Sequence, residues 1–307
     1  MMKHTLTFFA LLLVTPFSRG ETLCSPKLLT SPDFYTSAIK VCQTESKHYG
    51  YNFLNRWIEE KHSHCQLFYP NSSSDEHREC LSNILNFSND VLTCQSSLHR
   101  HQEAVQYDSE LLAQLIQGNG GLATIPEIIQ KRFDHLVKST EQSYSFKFSP
   151  KWSLKSYQGK VANAHAGAGG EIVVSAALWN GETPFSVDEI TAILAHEIAH
   201  VLKDHSLRLG CSAMEWVGSE FSISEISKVF REDFSTATER GRAWTEKSQS
   251  YEFEADKVAT RILKKAGINP RAMAMALEKL KPKTDSNFTT GSHPTFDLRI
   301  QQALEGI

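Results

Sequence analysis

The chain has no run of basic residues: 32 Lys and Arg stand against 35 Asp and Glu over 307 residues, a net charge of −3. That balance excludes a nucleic-acid partner, which would need a basic face. Internal repeats, heptads and a glycine-rich phosphate loop are all missing. So are apolar runs of membrane-spanning length. The longest, Leu6 to Phe17, is about 12 residues against the roughly 20 that a bilayer helix needs. It follows Lys3 and precedes Ser18-Arg19-Gly20, small at −3 and −1 of a cleavage site. Residues 1–20 are therefore expected to be a cleaved secretory signal, and the protein periplasmic or secreted.

Cysteine is sparse after residue 94. Cys24, Cys42, Cys65, Cys80 and Cys94 precede residue 95, and Cys211 alone follows. In an oxidising compartment an even count reads as up to three disulfides, with about 15 connectivities open. Composition is otherwise that of a globular protein, 40% apolar and 22% charged. Residues 21–105 form a Cys-rich region of short helices, with Tyr51, Leu54, Trp57 and Ile58 at helical spacing. Residues 106–307 carry longer patterns: a helix through Leu111, Leu112, Leu115 and Ile116, a stop at Gly118 to Gly121, and a helix from Ile125 to Val137. Tyr144-Ser145-Phe146-Lys147-Phe148 alternates as a strand does, and Glu171 to Ser175 is a β-branched run after Gly169-Gly170.

The next helix is announced by a capping box, Ser186-Val187-Asp188-Glu189, followed by an apolar face of Ile190, Ile193, Leu194, Ile198, Val201 and Leu202. On it lies His196-Glu197-Ile198-Ala199-His200. Positions four apart share a helical face, so both imidazoles can meet one ion while Glu197 projects to one side. A catalytic zinc needs a third protein ligand and one open position. Glu252 and Asp256, again four apart on a second helical pattern, offer one carboxylate for the ion and another to orient a histidine. Glu254 is expected to point into solvent.

The context Ala192-x-Leu194-Ala195-His196-Glu197-Ile198-Ala199-His200-Val201-x-x-x-His205-x-x-Arg208, then Glu252 to Asp256, then His293-Pro294-x-x-x-Leu298-Arg299-Ile300, resembles the gluzincin metallopeptidases of the BepA, HtpX and Oma type, relatives of the CAAX prenyl proteases. Asn163 to Ala166 with Gly169 to Val174 is similar to that family's strand segment. The resemblance covers about residues 120–305 and leaves residues 21–105 without a counterpart. It implies a mostly helical α+β fold, a zincin-like metallopeptidase domain with a small sheet. It also implies one zinc ion held by His196, His200 and Glu252, with Asp256 buttressing a histidine.

On that ligand set the implied reaction is peptide-bond hydrolysis by a metal-activated water, with Glu197 as general base. His293, which the resemblance sets near the zinc, is a catalytic candidate as oxyanion donor, a fourth ligand that silences the enzyme, or part of a purely structural His-Pro turn; all three stay open. His205, five residues past His200 and nine past His196, lies about 140° and 180° away around the helix and is not expected to bind the ion; near a helix end, capping or packing is its expected work. His165 would lie on a strand bordering the cleft, where an extended chain can add by backbone pairing. That favours unfolded or envelope proteins as substrates, with a peripheral place at a membrane left open. The alternative is a chaperone-like envelope assembly factor that holds clients with little cleavage. Residues 211–250 are read as packing against the catalytic core, or otherwise as a lid.

Overall fold

The computed structural model describes residues 38–40, 42–43, 52–71, 74–217, 221–232, 239–281 and 294–305. The signal segment, Cys24 and His293 lie outside them. The chain divides into two compact units between Asn89 and Asp90. The first holds α1 (Asn52–Phe68) and most of α2 (Asp75–Ser96), which begins with Asp75 and Glu76 at the helix end that favours negative charge. Ile58, Leu81, Ile84 and Leu85 form its buried face, and a disulfide joins Cys65 to Cys80. Among the described residues no helix is long and apolar enough to cross a membrane.

The second unit is mostly helical with a small sheet. In chain order come α3 (Leu98–Gly118), α4 (Glu127–Ser143), β1 (Ser153–Tyr157), β2 (Ala164–Ala166), β3 (Glu171–Ser175), α5 (Ala177–Asn180), α6 (Val187–Leu202), α7 (His205–Val217), α8 (Ile223–Glu232), α9 (Glu239–Lys265), α10 (Arg271–Leu280) and α11 (Phe296–Glu305). α3 stops where the glycines do, with Gly120 and Gly121 at positive φ. The sheet order is β1-β3-β2. β1 runs parallel to β3 in the register Ser153 to Glu171, and β2 runs antiparallel to it with His165 opposite Val173. The β2–β3 turn needs Gly170: its φ is +93°, and a Cβ there would sit 2.8 Å from the Pro150 Cβ.

The alternating segment Tyr144 to Phe148 is not a strand. Its rings are used in packing instead. Phe148 stacks on His101 at 4.1 Å between centroids, and Phe146 meets Trp152 edge-on at 5.7 Å. Tyr144 ends α4, donating its backbone N–H to the Thr140 carbonyl.

α6 is the centre of the unit. Ser186 and Glu189 close the expected capping box from both sides. Every residue from Glu189 to Ala199 is buried, which is how a helix apolar on all sides must be placed. α6 packs most extensively against α9, and also against α10, α4 and β2. Ala192, Ala195 and Ala199 on α6 and Ala255 and Ala259 on α9 are all fully buried. Side chains this short let helix backbones approach, and the approach brings the polar groups of the two helices together. A second cluster joins Cys94, Leu207, Cys211, Met214, Ile223 and Ile226, with Trp244 packed against it and a disulfide between Cys94 and Cys211. Among the described residues of the 211–250 segment, Met214, Ile223, Ile226 and Trp244 thus pack in this second cluster rather than in the core around α6, where packing was expected.

Candidate metal centre

His196 and His200 lie one turn apart on α6, and Glu252 faces them from α9. The two Nε2 atoms stand 3.0 Å apart. Glu252 Oε2 is 3.3 Å from the first and Oε1 is 3.5 Å from the second. Donors at zinc-ligand distance in a tetrahedral site are separated by about 3.4 Å, so this spacing fits a single ion of that kind. The donor set fits as well, because two imidazoles and one carboxylate leave a tetrahedral ion one further position. These three residues, expected as ligands from the sequence, are a group among the described residues whose donor atoms converge in this way.

Asp256, fully buried one turn beyond Glu252, lies 2.8 Å from His196 Nδ1 through its Oδ1. A carboxylate at that distance orients the ring so that His196 Nε2 faces the other donors. Burial alone would lower the His196 pKa, but Asp256 and Glu252 overcome it and carry it to about 10. The same field favours any cation at this point. His200 is different: burial holds its pKa well below the ordinary value despite Glu252, so the ring is neutral.

Arg299, on α11, balances the two carboxylates. Its Nε and Nη2 donate to Asp256 at 2.7 and 2.8 Å, and Nη1 lies 3.1 Å from Glu252 Oε2. Burial opposes the Asp256 charge, and Arg299 overcomes that to hold the carboxyl below its usual range. Glu197 is buried at 8% exposure, near enough that its charge helps hold Arg299 protonated. The sequence marks Arg299 within a motif but assigns it no role; an arginine six residues past the His-Pro histidine, facing two acids from another helix, was the available signal.

His205 stays outside the ligand group and packs, as expected, whereas the place expected for Glu254 changes. α6 does not continue to His205 but ends at Leu202, and Asp204 adopts a left-handed φ of 51°. The turn folds His205 back, so its Nδ1 sits 2.9 Å from the Nδ1 of His200. Glu254 is only partly exposed and is held by three cationic or histidine partners. Its carboxylate meets Arg208 Nη1 at 3.0 Å, His205 Nε2 at 3.4 Å and Lys203 Nζ at 3.5 Å. Burial opposes its charge too, and His205 and Arg208 more than offset it, lowering the carboxyl pKa strongly. A helix wheel cannot show either contact, because the partners of Glu254 and His205 come from different helices and the turn between them.

The profile of peptidase family M48 matches residues 127–307. The beta-barrel assembly-enhancing protease of Escherichia coli K12 is 32% identical over 127 residues, and its namesake in Shigella flexneri likewise. That of Escherichia coli O157:H7 is 33% identical over 131 residues. These stretches cover 38% of this chain and 26% of each relative, so the chain aligns with only about a quarter of their length.

Proposed function

The chain belongs to peptidase family M48, and from that premise we propose that it is a zinc-dependent endopeptidase of the cell envelope, acting on unfolded or misassembled proteins. One observation carries the reading: two imidazole nitrogens and a carboxylate on separate helices converge at 3.0 to 3.5 Å, with Glu197 buried beside them. Zinc bound there by His196, His200 and Glu252 supplies a Lewis acid that polarises a peptide carbonyl and acidifies water.

The remaining work falls to the chain itself. Glu197 takes a proton from the attacking water and passes it to the departing amine. Asp256 orients the His196 ring, and Arg299 keeps Asp256 ionised in a buried place while also pairing with Glu252. His293 is the proposed donor to the oxyanion. β2 is one of the two outer strands of the sheet and packs against α6, which suits it to pair with an extended substrate backbone. Recognition through backbone groups favours unfolded chains of varied sequence. The envelope assignment is supported by the relatives' names, which place them in β-barrel assembly, and by the N-terminal signal pattern. A cleft that only held clients would have no use for a buried carboxylate at position 197.

Casein degradation by the wild type, by Glu197→Gln and by chelator-treated protein tests the reading. Loss of cleavage by about 10²-fold or more in the latter two is expected. Equal rates in all three would remove the peptidase assignment.

A further inference from the structure

Only Lys203 and Asp204 separate α6 from α7. The turn they form sets the His205 ring against His200, Nδ1 to Nδ1 at 2.9 Å. Two neutral imidazole nitrogens this close share one proton, so one donates and the other accepts. The far side of His205 decides which. Its Nε2 faces Glu254 Oε2 at 3.4 Å, and a carboxylate can only accept. His205 Nε2 therefore carries its proton, His205 Nδ1 is the acceptor, and His200 Nδ1 is the donor. The consequence is a bare His200 Nε2, the atom that faces His196 and Glu252.

The support beneath is built rather than incidental. His205 is 3% exposed, and its ring stacks on Tyr251 at 4.5 Å and 11°. Glu254 is gripped by Arg208 and Lys203, and the Arg208 guanidinium also lies over the Tyr251 ring, 4.7 Å from its centroid. His205 and Arg208 are three apart on α7, so one helical face presents both.

We propose that His205 is a positioning residue for His200: with Glu254, Arg208 and Lys203 it fixes the tautomer and ring orientation in which His200 Nε2 can bind a divalent transition-metal cation. It gives His200 what Asp256 gives His196, by a neutral ring instead of a carboxylate. The inference rests on the zinc reading above.

The test compares two substitutions that a packing role and a positioning role rank in opposite order. His205→Phe keeps a ring to stack on Tyr251 but has no acceptor. His205→Asn loses the ring but sets an amide oxygen near the Nδ1 position. Zinc affinity of the metal-free full chain is read by competition with a chromophoric chelator, and thermal melting without metal checks the fold. His205→Phe is expected to bind zinc about 10- to 100-fold more weakly, as for other lost partners of ligand histidines, while His205→Asn stays close to wild type. Wild-type affinity in His205→Phe, or equal weakening in both variants, would overturn the proposal. If metal-free His205→Phe does not melt cooperatively, Glu254→Leu is read instead: weakened binding supports the relay, and unchanged binding overturns it. A wild-type chain that binds no zinc would bring down the reading of the site, whereas normal wild-type binding with an indifferent His205 brings down this inference alone.

Discussion

Arg299 grips Asp256 with two parallel hydrogen bonds, Nε to Oδ2 at 2.7 Å and Nη2 to Oδ1 at 2.8 Å, linking α11 to the helix that carries Glu252. Both side chains are buried, so neither charge can be left alone cheaply. Asp256→Ala is expected to cost about 3–5 kcal/mol in denaturant unfolding of the metal-free protein, because it removes the bidentate partner of a buried guanidinium and leaves it only the contact with Glu252. It should also weaken zinc about 10- to 100-fold by freeing the His196 ring. Replacing both partners, Asp256→Leu with Arg299→Met, should restore part of the stability but not the zinc affinity. Parallel recovery of both would mean that the pair acts on folding alone.

Asp204 sits in left-handed backbone, and burial raises its pKa from 3.8 to about 6 despite the Lys147 and Arg208 charges. Between those two values the folded state binds more protons than the unfolded, so this group makes stability fall as pH rises from about 4 to 6. Asp204→Asn should therefore stabilise by on the order of 1 kcal/mol at pH 7.5, where the charge is fully present, and by less at pH 4.5. Asparagine also tolerates the left-handed conformation. Thermal melts at the two pH values check this; a variant less stable than wild type at pH 7.5 contradicts it.

The Cys94–Cys211 disulfide spans 117 residues and ties α2 to α7. Replacing both cysteines by serine is expected to cost about 3–5 kcal/mol, the scale for closing so long a loop. Denaturant midpoints under oxidising conditions measure the loss. Midpoints unchanged from wild type would mean that the packed cluster around Leu207 and Ile226 holds these helices without the bridge.

His293 has two proposed roles with opposite signs. If it donates to the oxyanion, His293→Ala lowers kcat by about 10²-fold or more with zinc affinity nearly unchanged. An inhibitory fourth ligand predicts the reverse, faster cleavage with looser zinc. Steady-state kinetics beside the chelator competition separates them.

What could be read from the chain and what could not divide along a physical line. Local periodic signals carried far: the capping box at Ser186, the glycine stop after α3 and the run from Glu171 to Ser175 each depend on a few adjacent residues. The pairing of His196 with His200 on one face was also legible, since four-residue spacing sets faces on a helix, whereas Glu252 as their neighbour came from the family resemblance. Tyr144 to Phe148 misled because alternation describes only which residues are apolar, and here the rings pack on other partners than a strand neighbour. The disulfide pairings, the Arg299 clamp and the fold-back of His205 depend on tertiary contacts between distant segments. In the last case the cause is one backbone angle at Asp204 that no periodicity signals.

Zinc content tests the central claim most directly. The full chain, loaded with zinc and freed of excess by gel filtration, should carry one ion per chain by mass spectrometry, and Glu252→Ala should lose it while the metal-free variant still melts cooperatively. Full zinc occupancy in Glu252→Ala, or none in the wild type, would contradict a centre built from His196, His200 and Glu252.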